Sequence, residues 1–446
     1  MAEVKISDIK SISKQLDYKT VDWSAPDYKF SKIFPQSGTQ KLIIPIGSTA
    51  ETLFELPAKC FNLSQSVLTW NETIDLQAAA YSWKQMGTYG PIQQVQLYTR
   101  GGQMLADINY ANVMMEVCRR RQLKLQEFLT QEQTDALYPC NSAAATNYLP
   151  VVSGGAVTNA PVGYIESKYL EASAVGTAIT YQMRMRLSSL VNSIFAVDRD
   201  LAFPEVLVMR VVWSSSRVGW SSTNAADPSA GVLALTGNVT CDIVQLLLAT
   251  ETNNEIARQV AEVKEIMVPF VWTFRNNPGV STAQTVTVRL NRMHGLYCKK
   301  IIHTVLNNAE TTNTMYDHTN YGATTILAAK VTSYYTAKDN ARIQEFDLNA
   351  TINIGDDYQH VKKQLKGSCI LNNKMHAINW HHCDDFQGSQ SISDGVLPPN
   401  YLGGLDLSTD RKWDFVGTMI NAAYNHYTFV VCTRKLTITP NAITIM

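Results

Sequence analysis

The densest run of chemistry-bearing side chains is His376-x4-His381-His382-Cys383-Asp384-Asp385. Imidazole, thiol and carboxylate within so short a stretch suit Zn²⁺ by composition. The stretch Met375–Cys383 nevertheless reads as a β-strand. At period two His376 and His382 share one face while His381 and Cys383 share the other. A structural zinc site needs four converging ligands, which this placement denies without a bulge. These are read as core or interface histidines, and no metal is expected.

The other candidates are weaker. Asp356/Asp357 and Asp384/Asp385 are carboxylate pairs, but neighbours on a strand point apart and make poor acid/base partners. Arg119, Arg120 and Arg121 with Lys124 could touch phosphate or an acidic neighbour, as could Lys362, Lys363 and Lys366. Each cluster yields few phosphate contacts, so a solvated face is the simpler reading. The chain contains no GxSxG, HExxH, GxxxxGKS/T or GxGxxG motif. No catalytic residue, cofactor site, metal site or small-molecule substrate is expected.

Composition points the same way. The 38 Lys and Arg balance 38 Asp and Glu in 446 residues, which leaves no net field to hold a polyanion. Charged residues make up 17%, against about 25% in an average soluble protein. Such a surface suits a protein that buries much of its outside against neighbours. The N-terminus lacks the apolar core of a signal peptide, and no apolar run reaches the ~20 residues that span a bilayer. The cysteines (Cys60, Cys118, Cys140, Cys241, Cys298, Cys369, Cys383, Cys432) are scattered without a CxxC, which reads as reduced, mostly buried thiols. The sequons at Asn62, Asn71, Asn238 and Asn349 would then stay unglycosylated.

The elements that must position these residues are almost all short strands. Residues 1–37 read as an arm. Val4, Ile6, Ile9, Ile12 and Leu16 either line a short amphipathic helix or belong to a tail that orders only on assembly. Alternation then marks strands around Leu42–Ile46, Thr52–Leu56, Leu68–Leu76, Gln94–Thr99 and Ile179–Arg186. Asp107 to about Phe128 has helical composition, and a second helical turn follows Thr130. Glu205–Trp213 is apolar on nearly both faces and reads as an interior strand, Ser214–Gly237 as an exposed loop, and Thr240–Leu248 as a strand. Asn253–Glu262 is the best helix of the second half and serves as a connector. Strands resume at Met267–Phe274, Thr285–Leu290, Cys298–Val305, Phe346–Ile354 and Tyr427–Ile438.

Many short strands with long loops indicate jelly-roll sandwiches. The expected fold is all-β: two tandem eight-stranded jelly-roll domains with short helical insertions and a linking helix. The expected division is an arm at 1–37, a first jelly roll at 38–250, a linking helix at 251–264 and a second jelly roll at 265–446.

Several segments carry a family likeness: Thr39-Gln-Lys-Leu-Ile-Ile-Pro-Ile46, Gln94-Val-Gln-Leu-Tyr-Thr-Arg-Gly-Gly-Gln103, Phe195–Trp213, Leu246–Ala261, Pro269-Phe-Val-Trp272 and Leu436-Thr-Ile-Thr-Pro-Asn441. In their order and spacing the chain, from about Gln40 to its C-terminus, resembles the double jelly-roll major capsid proteins of double-stranded DNA viruses. The resemblance is greatest to those of polinton-like viruses and virophages. It implies a non-enzymatic structural subunit whose two upright barrels form a pseudo-hexagonal homotrimer that tiles an icosahedral shell. Implied partners are neighbouring capsomers, penton proteins and minor capsid proteins. An inner membrane or packaged DNA is the surface the N-terminal arm would meet. Implied location is the virion capsid, with synthesis and assembly inside the host cell and no secretion. The alternatives are a carbohydrate-binding or receptor-binding protein using Trp220 and Tyr401 in predicted loops, or a paired-jelly-roll hydrolase.

Overall fold

The computed structural model describes residues 27–39, 43–45, 48–75, 81–83, 91–115, 151–153, 156–159, 168–169, 178–214, 220–222, 232–235, 237–247, 264–276, 282–307, 331–343, 347–349, 381–386, 404–419, 424–439 and 442–446. Its strands fall into two groups that do not pair with each other among the described residues.

In the first group one sheet runs β1 (Asp27–Ile33), β16 (Thr240–Leu247), β4 (Cys60–Asp75), β15 (Val232–Leu235), β2 (Ile43–Pro45), with β11 (Ala178–Arg186) and β12 (Asp200–Ala202) also on β4. The facing sheet runs β3 (Thr49–Leu56), β13 (Leu207–Ser214), β6 (Ile92–Thr99), β7 (Met104–Asn109). In the second group one sheet runs β17 (Lys264–Asn276), β26 (Tyr424–Ile438), β19 (Tyr297–Asn307), β23 (His381–Asp385), with β24 (Leu405–Asp406) on β19 and β27 (Ile443–Ile445) on β26. Its partner sheet runs β18 (Ala283–Leu290), β25 (Arg411–Met419), β20 (Val331–Lys338), β21 (Ala341–Arg342), with β22 (Leu348–Asn349) on β20. Short strands β5 (Tyr81–Trp83), β10 (Lys168–Tyr169) and β14 (Trp220–Ser222) form a small sheet, and β8 (Val151–Ser153) pairs with β9 (Ala156–Asn159).

Several short strands share one side of a longer neighbour, end to end. β11 covers Val67–Asp75 of β4 and β12 covers Cys60–Asn62. Likewise β23 covers Lys300–Thr304 of β19 and β24 covers Tyr297–Cys298. Taken by position, each main sheet is four strands wide, with β27 an extra return along β26. Numbered by position in chain order, both groups give 1-8-3-6 facing 2-7-4-5. Two chain segments with no pairing between them have reached the same eight-position order, which is that of a jelly roll.

Alternation explains the packing. In β18 the even residues Gln284, Val286, Val288 and Leu290 are buried and the odd ones exposed, so one face meets the opposite sheet. β13 lies between β3 and β6 and is buried on both faces. In the first sandwich Trp70 of β4 meets Trp213 of β13 edge-on at 5.3 Å. The Trp213 indole N–H donates to Thr52 Oγ1 at 2.9 Å, which satisfies its polar atom inside the core. In the second sandwich Leu290, Ile301, Val430 and Cys432 pack around Trp413.

The structure departs from the sequence reading in several places. Asp107–Asn109 continue β7, and the helix starts only at residue 111. Pairing of Asp107 and Ile108 with Gln96 and Val95 outweighs the helical composition that follows. The expected loop 214–237 contains β14 and β15, because the run Val232-Leu-Ala-Leu235 can complete the ladders of β2 and β4. Trp220 accordingly lies in a strand, opposite Trp83. Asp27–Ile33, read as part of the arm, pairs along β16. Lys264 already belongs to β17, while residues 251–263 of the expected linking helix lie outside the described residues. Of the expected strand Phe346–Ile354, Leu348–Asn349 pair with β20, and 346 and 350–354 lie outside the described residues.

Gly404 sits at φ 128° beside β19, and a Cβ there would stand 2.7 Å from the Cys298 carbonyl oxygen. Gly102 has φ 87° with open space around it. Gly102→Ala should therefore cost only backbone strain, about 1–2 kcal/mol. Gly404→Ala adds a backbone clash and is expected to lower the urea midpoint clearly more. Denaturation of both variants in parallel, followed by tryptophan fluorescence, checks the ranking.

Candidate functional site

Strand β23 carries five of the six residues singled out for metal chemistry, while His376 lies outside the described residues. Register against β19 sets His381 opposite Thr304, His382 opposite His303, Cys383 opposite Ile302 and Asp384 opposite Ile301. Cys383 and Asp384 are both buried, on opposite faces of the sheet. Cys383 belongs to the core shared by the two sandwiches. Asp384 faces the second sandwich, where its Oδ1 accepts from Thr336 Oγ1 at 3.3 Å. Among the described residues no three His, Cys, Asp or Glu side chains gather as a metal would require. Arg119, Arg120, Arg121, Lys124, Asp356, Asp357, Lys362, Lys363, Lys366 and Tyr401 lie outside the described residues.

The buried titratable groups are ones that sequence reasoning passed over. His303 and His426 are fully buried, with Nδ1 of the first 3.0 Å from Nε2 of the second. Both rings pack on Phe415, at 5.0 and 4.6 Å between centroids. Burial drives the His426 imidazole down to about 3, so it is neutral throughout the physiological range. In the first sandwich Glu72 is buried on β4, and burial pushes its carboxyl up to about 8. The two groups sit in different sandwiches, enclosed by core.

The most developed functional geometry is the seam between the sandwiches. Thr273 Oγ1 on β17 donates to the Asn109 carbonyl at 3.2 Å. Arg275 donates from Nη1 to the Tyr110 hydroxyl at 3.1 Å, and the Tyr110 ring stands edge-on to Tyr427 at 4.8 Å. Tyr110 adopts φ 52° where β7 turns into the following helix, a conformation that costs a non-glycine residue about 1–3 kcal/mol. The seam contacts hold it there. The Ile443 N–H donates to Glu205 Oε1 at 3.3 Å, tying β27 to the loop before β13. One apolar cluster runs from Trp70 and Met115 through Val271 to Tyr427 and Phe429, so the seam is continuous with the first core. Beyond it, Tyr28, Phe30 and Phe34 on and after edge strand β1 are more than half exposed.

No family model matches the sequence, and no curated protein matches it. Solved structures do. The chain is similar to the PBCV-1 virus capsid (TM-score 0.55, 10% identity, 96% of this chain and 98% of that one). It is similar to the mavirus major capsid protein (TM-score 0.54, 11% identity, 100% of this chain and 95% of that one). It is also similar to the Sputnik virophage structure (TM-score 0.54, 11% identity, 98% of this chain and 92% of that one). Both sandwiches are covered in each case, and the fold is that of a double jelly roll.

The buried acid and base set a pH window. The folded chain keeps Glu72 protonated above its ordinary 4.5, where the unfolded chain releases that proton, so this term loses stability as pH rises towards 8. His426 acts oppositely: below 6.5 the unfolded chain takes up a proton that the folded chain refuses down to about 3, so stability falls with acid. Between 4.5 and 6.5 the two slopes cancel. Glu72→Gln should abolish the decline between 6.5 and 8, about 1.4 kcal/mol per pH unit, and leave the acid limb. Urea titrations of both proteins across pH 4 to 9 measure this.

Proposed function

We propose that the chain is a major capsid protein, the non-enzymatic subunit of an icosahedral virus shell. What carries the reading is the pair of jelly rolls in one strand order, joined by a continuous core and matched end to end by viral capsid structures. Two similar sandwiches per subunit give six-fold outlines from a three-fold assembly, so the subunit forms homotrimeric, pseudo-hexagonal capsomers. Low charge favours the broad contacts this needs, because few ions are desolvated. The exposed Tyr28, Phe30 and Phe34 are surface that neighbouring subunits cover.

We assign the arm to 1–37, with Asp27–Ile33 laid onto the first jelly roll, and the jelly rolls to 38–250 and 265–446 around a linker at 251–264. Partners on this reading are adjoining capsomers, penton and minor capsid proteins, with the arm directed to an inner membrane or packaged DNA. The protein acts in the virion capsid and is made inside the host cell.

Purified full-length chain should run at three times its 49.6 kDa mass in light scattering. Negative-stain images should show hexagonal outlines. A protein that stays monomeric at tens of micromolar, or that shows a three-lobed particle without hexagonal outline, overturns the proposal.

A further inference from the structure

We propose that Cys298 and Cys432 are a redox modification site: a cross-strand disulfide that locks the second sandwich from within. The two residues are direct register partners in the β19–β26 ladder. Antiparallel partners have Cα atoms roughly 4.5–5.5 Å apart and side chains on one face, inside the roughly 4.4–6.8 Å span of disulfides. Both are free, fully buried thiols in one apolar cluster with Leu290, Trp413 and Val430.

Two features make the pair a site and not a coincidence of composition. The register shifts immediately after Cys298, a bulge that raises local twist and lets the ladder adjust to a covalent bridge. Glycines also press on both cysteines. A Cβ on Gly295 would stand 3.0 Å from Cys432 Cβ, and one on Gly404 2.7 Å from the Cys298 carbonyl oxygen. The Cys298 and Cys432 thiols are within hydrogen-bond reach of each other. The other described cysteines face residues other than cysteine in their ladders: Cys60 pairs with Ala202, Cys241 with Leu68 and Ile33, and Cys383 with Ile302 on the opposite face.

The oxidant is a low-molecular-weight disulfide of the glutathione type. One cysteine, as thiolate, attacks it and releases a small thiol; the second then displaces the other half from the mixed disulfide. Two S–H bonds break and one S–S bond forms. The two electrons reduce the oxidant to two thiols, which carry the two protons. Burial holds the Cys298 thiol protonated, so the closed fold exchanges slowly. Exchange then waits on local opening of the ladder; among the described residues β24 pairs with β19 at two positions. The bridge closes a loop of roughly 130 residues, and a crosslink constrains the unfolded chain more the longer the loop it closes. The second sandwich is thus looser in a reducing medium and locked in an oxidising one, whether or not the chain builds shells.

The test uses the full chain purified in reductant and then treated with oxidised glutathione, both folded and during refolding from urea. Free thiols are blocked with N-ethylmaleimide in denaturant and peptides are mapped by mass spectrometry. The expected result is a Cys298–Cys432 linked peptide and a thermal midpoint raised on the order of 5 °C. Dithiothreitol reverses both, and the midpoint of Cys432→Ala or Cys432→Val does not respond to oxidant. Full blocking of Cys298 and Cys432 under both treatments, linkage of either to another cysteine, or linkage without a rise in midpoint overturns the proposal. The peptide map needs no variant, so a misfolded substitution leaves the result decisive.

Discussion

The sheet β17-β26-β19-β23 is a middle layer, with one face against β18-β25-β20 and the other against the first sandwich. Successive residues of β26 are shared between two cores. Tyr427, Phe429 and Val431 join the core at the seam, while Val430 and Cys432 join the one around Trp413. A one-residue slip would exchange these sets and turn His426 and Thr428 towards the seam. Because the two faces differ chemically, register is fixed over the whole β17–β26 ladder. Everything downstream, including the placement of Cys432 opposite Cys298, inherits that register.

Two-faced burial also makes the sandwiches a single mechanical unit. Domains joined only by a linker move relative to one another by default. Here the apolar cluster is unbroken from β4 to β26, and Thr273, Arg275 and Glu205 add hydrogen bonds across it. On the proposed function, a subunit that presents its flanks to several neighbours at fixed angles needs such stiffness.

Legibility followed the physics of burial. β13 was readable as a strand because a strand buried on both faces is nearly all apolar, and β18 because a strand buried on one face alternates. Val331–Lys338 gave no such signal: Ser333, Tyr335 and Thr336 mix polar groups into both faces, and Thr336 is buried all the same. Arg411–Met419 opens with two cations, so no strand was expected there although Trp413 and Phe415 are buried. The strand character of β23 was legible, and with it the separation of Cys383 from Asp384. The paired imidazoles were not. His303 and His426 lie 123 positions apart, and only the β19–β26 register brings their rings together. The cysteine pair was hidden for the same reason, since scattered thiols acquire meaning only once strands are aligned.

An identity of about one residue in ten to the capsid structures sounds slight for a shared double jelly roll. What the fold demands explains it. Each position needs an apolar inward residue of workable volume, and cores accept many substitutions that keep pattern and size. The order 1-8-3-6 over 2-7-4-5 is enforced by which edges pair, and no particular side chain specifies it. Alternation alone is insufficient in the middle sheet, because both its faces are inside. There β26 uses chemical contrast, with Tyr427, Phe429 and Val431 on the seam side and His426, Thr428, Val430 and Cys432 on the other. That contrast is the part of the sequence that two stacked sandwiches need and a single one does not.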